Sequence, residues 1–229
     1  MKRRIDKLMV CGLVVVGLVL TGSSAQAGTT VIDFEGLGDV TPVTSIAVPN
    51  NVVTFSIIHA SGLSTPGYTA MVGGPTTAFV PNDAPVGMRT GTFLTDETNG
   101  PRLKGEYRMQ FANAVNSVGL DLYDYRVDGG PKAGDQAILT VYSDANWTNA
   151  IGTDVFTIPA ANPVDGNIEH LEVLLNGLGI LSAQLSFTGA DVGTGIDNVS
   201  FATIPAPGAM ILGALGTGLV GWFRRRKSL

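Results

Sequence analysis

Cysteine is almost missing from this chain. Cys11 is the only one in 229 residues, and it lies in an apolar stretch near the N-terminus. No disulfide can therefore staple the fold, and a stable body has to rest on its hydrophobic core. Histidine is nearly as scarce. His59 and His170 are far apart, and no H-E-x-x-H motif occurs, which removes the usual zinc-hydrolase arrangements. Ser64, in the run Gly62, Leu63, Ser64, Thr65, Pro66, lacks the closing glycine of a nucleophile elbow. Positive charge is the third shortage. Between residues 28 and 203 only Arg89, Arg102, Lys104, Arg108, Arg126 and Lys132 face eighteen acidic residues, so this body carries −12 while the whole chain carries −5. Such a surface repels nucleic acid and anionic lipid and favours cations or neutral polymers. A sustained 3.6-residue apolar period is also lacking, which argues against a helical body.

What is present is most distinctive at the two ends. Lys2, Arg3, Arg4 and Lys7 precede an apolar stretch from Leu8 to Leu20, and small residues follow at Ala25 and Ala27. That order predicts a secretory signal peptide over 1–27, cut after Ala27. Cys11 does not make it a lipoprotein signal, because it opens the apolar stretch and follows bulky Val10. At the other end, Pro205, Ala206 and Pro207 precede an uncharged run of 16 residues from Gly208 to Phe223, and Arg224, Arg225, Arg226 and Lys227 close it. A bilayer core needs about 17 to 20 apolar helical residues, so this segment is a short membrane span. Its cations hold the C-terminal end in the cytoplasm, and its prolines keep the chain just upstream extended and accessible.

The residues of this tail, from Ile204 through the proline pair and the Gly-rich span to the arginine cluster, closely resemble the PEP-CTERM sorting signal of Gram-negative bacterial surface proteins. The resemblance covers 204–229. It implies recognition by an exosortase, a membrane cysteine protease thought to cut near the proline motif. It further implies export, transient membrane anchoring, and a final place at the cell surface or in extracellular matrix. Ala206 stands where the family usually has Glu, which leaves the matching exosortase open.

The body at 28–203 has the length of one domain. Val118, Leu120 and Leu122 alternate with Gly119, Asp121 and Tyr123, and Leu181, Ala183, Leu185 and Phe187 alternate with Ser182, Gln184 and Ser186. This is the period of half-buried strands. Further strands are expected over 30–35, 51–58, 107–111, 137–143, 171–175 and 196–201, with 168–175 as an alternative short helix. Turn-forming clusters at 128–131 and 162–167 separate them. Many short strands between turn signals predict an all-β fold, a jelly-roll-like β-sandwich placed between the signal peptide and the C-terminal transmembrane sorting helix.

Four short runs also resemble the anchor-associated β-sandwich domains found with such tails and, through them, carbohydrate-binding jelly rolls. They are Ile32 to Gly36, Gly119 to Asp124, Leu139 to Ser143, and Gly195 to Phe201. In a strand Asp33 and Glu35 share one face, whereas Asp197 shares its face with apolar Val199 and Phe201. A carboxylate on an inward face must be paired or bound. Jelly rolls bring their first and last strands together, so Glu35, Asp197 and Asp33 are candidate oxygen ligands for one structural Ca²⁺. The resemblance implies a calcium at about this place. The alternatives are that Asp33 and Glu35 form a solvated edge and that Asp197 caps a turn.

Residues 31–35 also resemble a strand of a jelly-roll glycoside hydrolase family, but Val31 occupies the position of the nucleophilic Glu. Asp33 and Glu35, about 6.6 Å apart along a strand, define no catalytic pair by themselves. The chain is therefore expected not to be an enzyme. Trp147, in the turn from Asp144 to Asn149, is the only tryptophan of the body. An aromatic flanked by amides can stack on a sugar ring, with Tyr142, Tyr123 and Tyr125 extending the platform, or it can fold back over the sandwich edge. The expectation is a non-catalytic exported protein associated with extracellular polysaccharide. A carbohydrate-binding module with a specific glycan site is the alternative, and a polysaccharide-degrading enzyme is a more distant one.

Overall fold

The computed structural model describes residues 28–59, 62–71, 91–95, 105–123, 133–159, 168–175, 179–188 and 195–204. The signal peptide over 1–27, the sorting motif Pro205, Ala206 and Pro207, the membrane stop at Arg224, Arg225, Arg226 and Lys227, Tyr125, and the turn clusters at 128–131 and 162–167 lie outside the described residues. Gly28–Thr203 forms one compact unit.

Among the described residues every regular element is a β-strand. In chain order they are β1 (Thr29–Ile32), β2 (Pro42–Val43), β3 (Ser45–Val48), β4 (Asn51–His59), β5 (Ser64–Thr65), β6 (Gly67–Met71) and β7 (Thr92–Thr95). Then follow β8 (Gly105–Tyr123), β9 (Gln136–Tyr142), β10 (Ala150–Thr157), β11 (Ile168–Leu174), β12 (Ile180–Phe187) and β13 (Gly195–Thr203). Among the described residues the paired strands are all antiparallel.

The 19-residue strand β8 organises the sandwich. Its first half, through Phe111, pairs with β4 on one side and β12 on the other, and β9 and β10 extend that layer beyond β12. Its second half, from Ser117, pairs with β11 and β13. The second layer continues from β13 to β1 and through β7, β6 and β2. The first strand of the body thus lies against the last, with Ile32 opposite Val199.

The inner faces of both layers share one core. Val53, Phe55, Ile57, Tyr107, Met109 and Leu139 belong to the first, and Leu120, Leu122, Leu171, Ile196 and Phe201 to the second. Phe111 meets Phe201 at 5.4 Å between ring centroids, and the Phe34 ring meets Phe55 edge-on at 5.6 Å. Burial of these side chains drives the fold, at about 1.5–3 kcal/mol for each large apolar group.

Several elements differ from the sequence expectation. The strands expected over 107–111 and from Val118 onward are one strand, because the extended backbone continues through 112–116, where Val115 pairs with β12 and β13 and the Asn51 side chain holds the Asn113 backbone. β1 ends at Ile32 instead of running to Glu35. Phe34 adopts φ +52° and Gly36 φ +82°, and Asp33 Oδ1 accepts the Glu35 amide at 3.2 Å, so a turn replaces the strand's end. Residues 168–175 contain a strand, not the alternative helix, because pairing with β8 buries Leu171 and Val173. In β12 a register shift between Ile180 and Ser182 leaves Leu181 half-exposed and buries Ser182.

Candidate functional site

The outer face of the first layer is built by alternation. Ala137, Leu139 and Val141 of β9 point into the core, so Ile138, Thr140 and Tyr142 point outward. The same rule turns Gln184 of β12, Arg108 and Gln110 of β8, and Thr54 and Ser56 of β4 to that surface. Register then aligns them across the strands. Thr153, Thr140, Gln184, Arg108 and Ser56 form one row, and Tyr142, Ser182, Gln110 and Thr54 form the next.

Trp147 lies on this face, carried by the turn that follows β9. Asp144 fixes the turn. Its Oδ1 accepts the amides of Asn146 (2.7 Å) and Thr148 (3.2 Å), and its Oδ2 accepts the amide of Asn149 (2.6 Å) and the Thr148 hydroxyl (3.1 Å). Slight burial pushes the Asp144 carboxyl upward, but the amides of Asn149, Asn146 and Thr148 outweigh it and hold the group below the usual range. Ser182 Oγ donates to Asp144 O at 2.6 Å and ties the turn down on β12. Trp147 itself takes φ +56°, a backbone region costly for a bulky side chain and worth maintaining only where its position matters. Its Nε1–H donates to Ala183 O at 3.3 Å, and the Arg108 guanidinium carbon stands 4.9 Å from the ring centroid.

Tyr142 joins the same constellation. Burial raises its phenol pKa above the ordinary value, whereas the Thr140 hydroxyl that hydrogen-bonds it and the charge of Arg108 act in the opposite direction. Arg108 is the only lysine or arginine among the described residues. Glu106 Oε2 lies 3.8 Å from its Nη2 and also accepts from Gln184 Nε2 at 2.9 Å, so the one cation of this face has a carboxylate beside it. The two glycan-binding candidates, Trp147 and Tyr142, therefore meet around a network of hydroxyl, amide, carboxylate and guanidinium groups without excess positive charge. Trp147 folds back onto the sandwich and is half-buried. Tyr123 does not extend the platform. It is buried on the second half of β8, with its ring edge-on to Phe93 at 6.5 Å.

The second constellation is acidic. Asp197 is buried in β13, but not on the face of Val199 and Phe201 as expected: a bulge with Asn198 at φ +48° breaks the alternation, so Ile196 points into the core and Asp197 lies opposite Asp121 on the other face. Its Oδ1 accepts the Asn198 amide at 2.7 Å, and the Tyr123 hydroxyl donates to its Oδ2 at 3.4 Å. Burial raises its pKa to about 7, and the charges of Glu35, Asp33 and Asp121 add to that rise against the Asn198 hydrogen bond. Glu35 Oε1 accepts the Thr92 amide at 3.1 Å.

Asp121, which the sequence did not single out, is held between Asn198 Nδ2 (2.8 Å) and His170 Nδ1 (2.8 Å). Its signal was available in the alternation of β8, but its partners come from β11 and β13. His170 thus has a carboxylate partner that its isolation in sequence concealed. His59 is buried, with Nε2 2.9 Å from Thr65 Oγ1.

Hard carboxylate oxygens around a buried, like-charged Asp197 suit Ca²⁺. Among the described residues no group of three His, Cys, Asp or Glu side chains is gathered closely enough to hold a metal by itself. Any ion here would need backbone carbonyls and water beside Asp197, Glu35 and Asp33.

No protein-family model matches the chain, and no curated protein matches it. Its fold is similar to that of several solved structures. One is a DUF4465 family protein from Bacteroides caccae ATCC 43185, with 15% identity over 77% of this chain and 99% of that one and a TM-score of 0.48. Another is the K1 cleaved adhesin domain of Lys-gingipain from Porphyromonas gingivalis W83, with 14% identity over 78% and 99% and a TM-score of 0.40. A third is a family 11 carbohydrate-binding module from Clostridium thermocellum, crystallised with a mixed-linked tetrasaccharide, with 12% identity over 77% and 96% and a TM-score of 0.31.

Proposed function

We propose that this chain is an exported, non-catalytic surface or matrix protein that holds extracellular polysaccharide on the outer face of its first layer. The observation that carries this reading is the placement of Trp147. Four hydrogen bonds to Asp144 and a left-handed backbone fix it beside Tyr142 and Arg108, on a face with donors and acceptors but no excess positive charge. A preorganised aromatic of this kind binds a sugar ring without a large ordering cost. Trp147→Ala is expected to abolish retention of the protein on matrix polysaccharide in affinity electrophoresis while leaving its melting curve in place. Retention equal to that of the parent protein would refute the assignment.

Delivery is assigned to the terminal segments. The signal peptide routes the chain out, the short apolar span anchors it transiently in the membrane, and an exosortase processes it near Pro205, Ala206 and Pro207. Changing Arg224, Arg225 and Arg226 to glutamine is expected to stop maturation, so that a longer, membrane-retained precursor accumulates on immunoblots of cell fractions. Normal maturation of that variant would count against the sorting assignment. Within the body, a structural Ca²⁺ held by Asp197, Glu35 and Asp33 would neutralise the acidic cluster and fasten β1 to β13 in a jelly-roll form of the sandwich.

A further inference from the structure

Resting on the glycan-binding reading, we propose that the bound polymer is a linear, uncharged polysaccharide, and that an internal segment of it lies across the strands along the row Thr153, Thr140, Gln184, Arg108 and Ser56. Three observations point this way. The first is continuity. The row runs unbroken over β10, β9, β12, β8 and β4, whereas a path parallel to the strands meets the turn seated on buried Ser182. Neighbouring strands stand about 4.8 Å apart, so the five positions cover about 19 Å. That spacing is close to the advance of one sugar unit in an extended chain, so successive sugars meet successive strands.

The second observation is chemical. The row presents two threonine hydroxyls, a serine hydroxyl, a carboxamide and a guanidinium. Arg108 is neutralised by Glu106, and Gln184 spends its amide N–H on Glu106 while keeping its carbonyl oxygen. These groups pair with sugar hydroxyls and offer no excess cation for uronate or sulfate, and the −12 body repels such polymers at long range. The third is shape. Thr153 is exposed on β10, the outermost strand of the layer, so the row opens at that edge. The Trp147 ring packs against Arg108 within the row, so a chain lying along it meets the indole there, while the Thr153 end stays open. A site for an internal segment has to be open in this way, whereas a site for chain ends needs a closed terminus.

The test is calorimetry of the body with linear β-linked gluco- and manno-oligosaccharides from disaccharide to hexasaccharide, with a uronic-acid oligomer in parallel. Affinity is expected to rise with each added unit and level off at about five, one per strand. Thr153→Val and Ser56→Ala, at opposite ends of the row and outside the core, are each expected to weaken hexasaccharide binding several-fold and disaccharide binding little. Trp147-dependent binding that is already maximal for the disaccharide, favours the uronate, or ignores both end variants would overturn this inference and leave the glycan-binding reading standing. No binding of any of these probes would overturn both.

Discussion

Asp197→Asn is expected to stabilise the calcium-free protein at pH 8 and to remove most of its response to calcium. The sign follows from the direction of the shift. Asp197 has a folded-state pKa of about 7 against an ordinary value of 3.8, so the folded state holds that proton more tightly than the unfolded one. The stability it contributes is greatest below pH 3.8, falls as pH rises towards 7, and stays low above that. A shift of this size corresponds to a ceiling of about 4 kcal/mol, and relaxation around the carboxylate brings the realistic gain from Asn to about 1–3 kcal/mol. Asparagine keeps an oxygen for the Asn198 amide while removing the charge that Glu35, Asp33 and Asp121 oppose.

Calcium should reverse the ranking. A ligand present at 100 times its dissociation constant adds about 2.7 kcal/mol to a folded state that alone binds it. Urea melts at pH 5 and pH 8, with chelator or with millimolar calcium, separate the two effects. The parent protein in chelator should lose stability between those pH values, and the variant should change far less. Equal calcium shifts in parent and variant would take Asp197 out of the ligand set. A flat pH profile for the parent would contradict its buried, like-charged setting.

The second large effect lies in the core. Phe201→Ala is expected to cost about 3–5 kcal/mol, the range for deleting a buried aromatic ring. Phe201 is fully buried in β13, and its ring meets Phe111, which belongs to the first half of β8. The pair joins the two layers across the strand that they share. Its loss leaves a cavity that neither layer can close alone, because β8 is fixed by neighbours on both sides. Denaturant titration gives the value directly. A cost below about 1 kcal/mol would mean that the layers are fastened elsewhere.

Strand identity was legible where one face is apolar and the other polar. Val118, Leu120 and Leu122, or Ala137, Leu139 and Val141, carry the period-two pattern in their own side chains. What hid the rest was local chemistry that the pattern does not record. β10 has a Gly and an Asp within it and half-exposed apolar residues, so its edge position came only with pairing to β9. The end of β1 was misplaced because Phe34 adopts a left-handed backbone that its residue type disfavours. Of the candidate site residues, Asp197 was misread as sharing the face of Val199 and Phe201, because the bulge at Asn198 that turns it to the face of Asp121 leaves no mark in the apolar pattern. Trp147 and Tyr142 were legible as an aromatic pair around a turn. Arg108, Thr140 and Gln184 were not, since polar residues on alternating strands look alike until register puts them in one row.

By itself the sequence determined that the body is made of strands and that it is acidic and free of disulfides. These follow from side-chain type and spacing along the chain, which no packing can change. The tertiary structure alone decided that two expected strands are one strand shared by both layers, that Asp121 and His170 meet beside Asp197, and that a turn carries Trp147 back onto Arg108. Those outcomes depend on strand register, and register is set by how the whole core closes, not by any neighbour in sequence.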